Sequence, residues 1–169
     1  MRQYGEAWVE YAIKRFGEDQ KIILAGVSMG SATVLMASEL DLPKNVVGIT
    51  ADCPFSSPVD IILKVSKEKG LPKAVVYPLM FIASNVFGGF NIGEASPYKA
   101  VQNTNIPILI IHGTADNYVP YDMSVKMKNA SPDGIDFLTV EGAGHGLSYM
   151  LDTDAYENAV KGFFEKVLA

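Results

Sequence analysis

Residues 21–40 constrain the fold most, because three local patterns follow one another there. The stretch opens with a short apolar run rich in β-branched side chains, which predicts a buried parallel strand. It ends with apolar residues at helical spacing, among them Ala32, Leu35 and Met36, which predict a helix. Gly-Val-Ser-Met-Gly lies between the two at 26–30. Ser28 is therefore predicted at the tip of a sharp strand-to-helix turn.

The turn at 26–30 has the small residues and the exposed serine that nucleophilic chemistry requires. Gly26 and Gly30 are predicted to let the strand and the helix cross without a Cβ clash. The backbone N–H of Met29 can stabilise a developing oxyanion, helped by the positive end of the helix dipole. The pattern alone is weak evidence in a chain with 15 glycines. Its flanking strand and helix favour a nucleophilic serine over a purely structural turn.

Composition excludes several functions. The 169 residues carry a net charge of −5 with scattered Lys and Arg, so nucleic-acid binding is not expected. A single cysteine, Cys53, rules out an intramolecular disulfide and a cysteine-based zinc cluster. We expect no metal or other cofactor, and 26–30 does not match a phosphate-binding loop. The cysteine usage suits a reducing compartment and the first residues do not resemble a signal peptide, so a cytoplasmic protein is expected.

The rest of the chain alternates strand and helix patterns. The helical stripe nearest the N-terminus includes Trp8, which is predicted to lie in the core. The alternation predicts a single α/β domain over 1–169 with a parallel sheet of about four strands. Its remaining predicted strands are 45–52, 106–111 and 136–140, and its outer helices are 2–16, about 121–130 and about 154–168.

Residues 55–100 interrupt this alternation and are predicted to form a helical lid, with one helix from about Pro58 and another over about 73–87. The most apolar run, 74–87, is shorter than a membrane span and contains Pro78 and Asn85. No membrane span is therefore expected. The large apolar residues of the lid can line an acyl pocket or pack onto the sheet, and the sequence does not separate the two.

Three chemically suited residues each follow the end of a different predicted strand. Parallel strands place their carboxyl ends at one edge of the sheet, so Ser28, Asp116 and His145 are expected to meet there. A serine is a poor nucleophile unless a base lies within hydrogen-bond reach. The chain has two histidines. His145, between two glycines, is favoured as the base, whereas His112 at a strand end is expected to be structural.

The base in turn needs an acid to orient it. Asp116 is favoured, because it lies in the loop after the third strand. Asp52, at the end of the second strand, is its rival, and Glu141 is a weaker alternative. Loop aspartates also stabilise turns, so a structural role for Asp116 stays open.

The segments 26–30, 112–116 with 119–120, and 144–146 resemble the α/β-hydrolase superfamily, most of all small bacterial serine esterases and peptidase-like hydrolases. Their chain order of Ser, Asp and His is that superfamily's order. The resemblance implies that Ser28 is the nucleophile, His145 the base and Asp116 the acid of a serine hydrolase that forms an acyl-enzyme. It implies a small-molecule carboxylic ester as substrate.

Other functions use the same residues. Thioesterase, amidase, peptidase or perhydrolase chemistry needs the same triad, and a non-catalytic assembly module would retain the residues without turnover. Dehalogenase chemistry is disfavoured, because it requires an aspartate where Ser28 stands.

The resemblance covers only the later part of that fold, since one helix precedes the strand at 21–27. The early loop that gives the superfamily its second oxyanion donor has no counterpart, and the strand at 21–27 is left as an apolar edge. We therefore expect a homo-oligomer paired through this edge. A fragment of a longer protein is the competing explanation.

Overall fold

The computed structural model describes residues 2–131 and 133–169 of the chain. The described elements follow one another as α1 (Arg2–Phe16), β1 (Ile22–Val27), α2 (Met29–Ala37), β2 (Val46–Asp52), α3 (Pro58–Glu68), α4 (Lys73–Val86), α5 (Pro97–Asn103), β3 (Ile108–Gly113), α6 (Tyr121–Ala130), β4 (Ile135–Val140), α7 (Ser148–Leu151) and α8 (Thr153–Leu168).

The described strands form one parallel sheet in the order β1-β2-β3-β4. Their register brings the carboxyl ends level, since Val27 pairs with Asp52, Asp52 with Ile111, and Ile111 with Leu138. The α/β fold with a four-stranded parallel sheet is therefore confirmed. Strand β1 lies at one edge of the sheet, as the sequence predicted.

Helices cover both faces of the inner strands β2 and β3, whereas the edge strand β1 packs mainly against α2 and leaves Ala25 and Val27 exposed. Ile108 and Ile110 of β3 point into one core, and their neighbours Leu109 and Ile111 point into the other. This explains why β3 is apolar at four successive positions rather than alternating. The first core includes Leu35, Val101 and Met127 of α2, α5 and α6; the second includes Phe163 of α8.

The prediction that Trp8 lies in the core is wrong, because 68% of this residue is exposed. Helix α1 packs beside α2, and Val9 is buried in that contact. Trp8 and Tyr11 lie on the outward side, where their rings form an edge-to-face pair with centroids 5.7 Å apart. Helix α1 does have the predicted apolar face, but within the described chain other elements cover only part of that face.

The segment 55–100, predicted to form a lid, contains the two expected helices, α3 and α4, and the start of a third short helix, α5, which extends to Asn103. Helix α4 packs mainly against α3. Its large apolar side chains face outward, including Leu79, Ile82 and Val86, and Phe87 just beyond it is 87% exposed. The alternative that the large apolar side chains of this helix pack onto the sheet is therefore wrong. None of the helices in the described residues combines the length and apolarity that crossing a membrane requires.

Candidate active site

Ser28 occupies a strained turn between β1 and α2. Its φ of 54° and ψ of −114° lie on the left-handed side that side-chain-bearing residues rarely adopt. The turn is held by the backbone, since the Ser28 N–H donates to the Asp52 carbonyl at 2.8 Å. The Ser28 carbonyl accepts the Ala32 N–H at 3.1 Å. These bonds hold the serine above the end of the sheet, as the sequence pattern predicts.

Gly26 is the glycine that allows this crossing. A Cβ at Gly26 would lie 2.3 Å from the carbonyl carbon of Gly30 and 2.6 Å from the backbone nitrogen of Ser31. A Cβ at Gly30 would meet nothing within 4 Å. The prediction that both glycines prevent a Cβ clash is therefore right for Gly26, whose Cβ would meet the backbone of α2, and wrong for Gly30, whose Cβ would lie in open space.

The structure brings Ser28, His145 and Asp116 together. The Ser28 Oγ lies 2.8 Å from His145 Nε2, and His145 Nδ1 lies 2.7 Å from Asp116 Oδ2. The imidazole is partly accessible, with 28% of its side chain exposed, whereas the Asp116 side chain is fully buried. The sequence thus selected three residues that form one unbroken line of hydrogen bonds.

Asp116 is held rigidly by its own loop. Its Oδ1 accepts the backbone N–H groups of Tyr118 at 2.9 Å and Val119 at 2.8 Å. Its Oδ2 faces His145 and also lies 3.2 Å from His112 Nε2. A carboxylate with several fixed donors cannot rotate freely, so its Oδ2 stays aimed at His145.

His112 supports this carboxylate from the interior. It is fully buried, its Nε2 also faces the Val119 carbonyl at 3.1 Å, and its Nδ1 lies 2.6 Å from the Ser124 Oγ. Burial lowers the pKa of His112, which keeps the ring neutral at physiological pH. The structural role expected for His112 agrees with this placement. Its contact with Asp116 was not anticipated, because sequence spacing does not show which side chains face each other inside a fold.

The two rival acids do not contact His145 through a hydrogen bond. Asp52 is buried and its Oδ2 accepts the Tyr156 hydroxyl at 3.3 Å, while its Oδ1 has no hydrogen-bond partner within the described residues. Burial raises the pKa of the Asp52 carboxyl. Glu141 is exposed. The geometry therefore selects Asp116 over both.

Met29 is the first residue of α2, so its backbone N–H lies in the turn whose donors lack helical partners. This is the position at which the sequence placed an oxyanion donor. Several apolar and aromatic residues neighbour the triad residues. The Tyr118 ring lies 5.1 Å from the His145 ring, and Val27, Met29 and Leu147 are exposed nearby in the chain.

Helix α3 is tied to the loop that carries Asp116. Lys64 of α3 donates through its Nζ to the backbone carbonyl of Asn117 and, at 2.9 Å, to that of Tyr118. Its Nζ also lies 5.9 Å from the centroid of the Tyr118 ring. The position of α3 is therefore linked to the position of the candidate acid.

Cys53 was assigned to the core or the lid by sequence, and it is buried, but it also lies against the candidate triad. It follows β2 directly and has a φ of 45°, and its N–H donates to the Ile111 carbonyl at 2.8 Å. Its Sγ and one ligand atom each of Asp116 and His145 lie within 4.8 Å of one another. Burial, together with the neighbouring Asp52, raises the pKa of the thiol to about 12. The sequence signal that could have placed Cys53 beside the triad is its position directly after a predicted strand.

Comparison with known proteins places the chain in a family. Residues 5–169 match the model of the prolyl oligopeptidase family. The uncharacterized protein YqkD of Bacillus subtilis (strain 168) is 25% identical over 145 residues, which cover 84% of this chain and 47% of that protein. The chain thus spans about half the length of this curated relative.

Solved structures agree on the fold. An esterase of Pyrococcus furiosus superposes with a TM-score of 0.73 at 16% identity, covering 99% of this chain and 62% of the esterase. A puromycin-hydrolyzing peptidase of Mycobacterium tuberculosis gives a TM-score of 0.67 at 21% identity, covering 96% of this chain and 24% of the peptidase. The chain therefore belongs to the prolyl oligopeptidase family and has an α/β-hydrolase fold.

Proposed function

We propose that the chain is a serine hydrolase that cleaves small carboxylic esters through Ser28, His145 and Asp116. The observation that carries this proposal is the line of hydrogen bonds from Ser28 Oγ to His145 Nε2, at 2.8 Å, and from His145 Nδ1 to Asp116 Oδ2, at 2.7 Å. Both distances are those of a base within reach of a nucleophile and of an acid within reach of that base.

The proposed reaction has two halves. His145 Nε2 accepts the hydroxyl proton of Ser28 as the Oγ attacks the ester carbonyl carbon, and then donates that proton to the departing alcohol. The acyl group is left on Ser28. Water then gives a proton to His145 Nε2 and attacks the acyl carbon. His145 returns this proton to the Ser28 Oγ as the bond between the acyl carbon and Oγ breaks, which releases the carboxylic acid. Asp116 accepts the Nδ1–H of His145, which fixes the tautomer and stabilises the imidazolium.

The Met29 N–H is the proposed oxyanion donor, because it begins a helix directly after the nucleophile. In acyl-transfer enzymes the loss of one oxyanion donor costs about 10²–10³-fold in rate. If no other group supplies a second donor, turnover by the 169-residue chain should be slower by a factor of that order.

Amidase or peptidase chemistry is the second candidate, and membership of the prolyl oligopeptidase family favours it. The same triad serves both reactions, but an amide nitrogen leaves only when it is protonated efficiently. A matched pair of substrates that share one acyl group, one an ester and one an anilide, separates the two candidates. Turnover of the ester without measurable turnover of the anilide supports the leading proposal, whereas turnover of both supports the peptidase candidate, because peptidases cleave esters as well.

The homo-oligomer expected from the sequence belongs to the same proposal. Strand β1 is an open edge of the sheet within the described residues, and apolar side chains are exposed on α1 next to it in the chain. We propose that a second copy pairs with this edge at 21–27.

Intact mass spectrometry after treatment with a fluorophosphonate tests the catalytic proposal. Attack by the Ser28 Oγ forms an oxygen–phosphorus bond and expels fluoride, so the parent protein should gain one adduct. Ser28→Ala should gain none, and the rate of labelling of His145→Ala should be lower than that of the parent by a factor of about 10³ or more. Asp52→Asn is the matched control, because its side chain is not hydrogen-bonded to His145.

A folded parent protein that gains no adduct would contradict the proposal and support a non-catalytic assembly module. An adduct that persists in Ser28→Ala would mean that another residue is the nucleophile. Circular dichroism of each variant establishes that lost labelling reflects chemistry and not unfolding.

A further inference from the structure

Three side chains of metal-binding type converge beneath the Ser28 hydroxyl. Cys53 Sγ, one carboxylate oxygen of Asp116 and one ring nitrogen of His145 lie within 4.8 Å of one another. Cys53 and Asp116 are buried, whereas the His145 ring is partly open to solvent. Each residue comes from a loop after a different strand, so the arrangement is a product of the sheet edge and not of sequence spacing.

These donors match a tetrahedral cation with borderline or soft character. Zinc binds cysteine, histidine and aspartate at about 2.0–2.3 Å, which sets its ligand atoms roughly 3.3–3.8 Å apart. To close around the ion, the Cys53 Sγ must move toward the other two atoms by up to about 1 Å, and His145 Nδ1 and Asp116 Oδ2, now 2.7 Å apart, must separate by roughly 0.6 Å or more. The exposed side of His145 gives a path for entry and leaves room for a water molecule as the fourth ligand.

We propose that Cys53, Asp116 and His145 bind one Zn²⁺ or Cd²⁺ ion and that this binding switches the hydrolase off. The nitrogen that faces Asp116 is Nδ1, and it is the nitrogen assigned to the metal. The ion displaces the thiol proton of Cys53, which is released to water. The single proton of the neutral imidazole moves from Nδ1 to Nε2.

Inhibition follows from this change of tautomer. Nε2 lies 2.8 Å from the Ser28 Oγ and must accept its proton for attack to occur. An Nε2 that already carries a proton is a donor and cannot act as the base. The metal also takes the Asp116 oxygen away from Nδ1, so the acid no longer orients the imidazole.

The inhibitory consequence rests on the proposed hydrolase function, but metal binding does not. Co²⁺ is therefore used as a spectroscopic substitute for Zn²⁺, because a thiolate ligand to Co²⁺ gives a charge-transfer band in the near ultraviolet. Isothermal titration calorimetry with Zn²⁺ gives the stoichiometry. Fluorophosphonate labelling with and without Zn²⁺ gives the effect on Ser28.

The variants are chosen to isolate the thiol. Cys53→Ala removes the sulfur, and Cys53→Ser is a second variant with a closer shape in case the alanine protein does not fold. Ser66→Ala is the matched control, since Ser66 is a buried small residue on α3 whose Oγ donates to the Ile62 carbonyl at 2.7 Å.

The parent and Ser66→Ala should each bind one Zn²⁺ per chain and show the thiolate band with Co²⁺. Zn²⁺ should slow their labelling by about tenfold or more, and EDTA should restore it. Both Cys53 variants should lose the band and bind Zn²⁺ at least about 10- to 100-fold more weakly, because a direct ligand contributes no less than a residue that only orients one. Their ratio of labelling rates with and without Zn²⁺ should approach one.

Two results would overturn the inference. One is a parent protein that binds Co²⁺ without a thiolate band or does not bind it. The other is a Cys53 variant that binds Zn²⁺ as tightly as the parent. If the parent is not labelled even without metal, the proposed hydrolase function has failed, and the cobalt spectrum still decides whether the metal site exists.

Discussion

His112 links the stability of the core to the geometry of the candidate acid. Its ring is fully buried between Ser124 and Asp116, and burial lowers the pKa of His112 below its ordinary value of 6.5. Between the lowered pKa and 6.5 the unfolded chain binds more protons at this residue than the folded chain does. The contribution of His112 to the free energy of unfolding is therefore complete above pH 6.5 and is lost as the pH falls below it.

The resulting prediction concerns the pH dependence of stability. The free energy of unfolding, measured with urea between about pH 5 and pH 8, should change more steeply in favour of the folded state with rising pH in the parent than in His112→Gln, since the opposing contribution of Asp52, whose pKa is raised, is common to both proteins. His112→Gln should also be less stable at about pH 8, by about 1–3 kcal/mol, because buried hydrogen-bonding groups lose their partners. Equal slopes in the two proteins would contradict this role for His112.

At the residue scale, the sequence identified the three residues that meet but not the residues that support them. Ser28, His145 and Asp116 could be selected because strand ends of a parallel sheet share one edge. The contact between His112 and Asp116 depends on side-chain direction inside the core, which the sequence does not encode locally. Cys53 also follows a strand end. Its thiol suggested core packing, so its place beside His145 was missed.

The crossing of β1 and α2 gives a prediction at the scale of elements. A Cβ at Gly26 would clash with backbone atoms, which cannot move aside as a flexible side chain can. Gly26→Ala should therefore destabilise the fold by about 1–3 kcal/mol or more and slow fluorophosphonate labelling of Ser28, because the turn must shift. Thermal unfolding and the labelling rate measure the two effects.

Gly30→Ala is the matched control for the same turn. Its Cβ would meet nothing within 4 Å, and alanine is the better helix former, so its stability should be unchanged or higher by up to about 1 kcal/mol. If the two variants lose stability equally, the clash at Gly26 does not determine the geometry of the turn.

The elements that the sequence predicted are those with a strong hydrophobic period and clear ends. Helix α5 was missed, although Ser96 and Pro97 give it a regular start, because it is too short for an apolar stripe to emerge. Helix α7 was missed for the same reason, because it has only four residues. Trp8 shows a different limit, since a periodic pattern identifies an apolar face but not whether another element covers it.

The whole molecule presents more uncovered apolar surface than the sheet and its helices account for. Trp8 and Phe16 of α1, Leu79 and Ile82 of α4, and Phe87 are all exposed. Such surface on a protein of this size is typical of an interaction site. Strand β1 adds a row of backbone groups that is unpaired on one side within the described residues. In the proposed dimer, a second copy of the chain would supply a matching strand and a matching apolar surface.

Pairing of two β1 strands about a two-fold axis would be antiparallel and would join the two sheets edge to edge. Size-exclusion chromatography with light scattering should therefore find a dimer or larger assembly of the parent at micromolar concentration. Ala25 is exposed near the middle of β1. Ala25→Lys should weaken the assembly by about tenfold or more, because the two charges face each other across the axis. Asn158→Lys, which adds the same charge on α8, should leave it unchanged. A parent protein that elutes as a monomer, or two lysine variants that behave alike, would exclude assembly through β1.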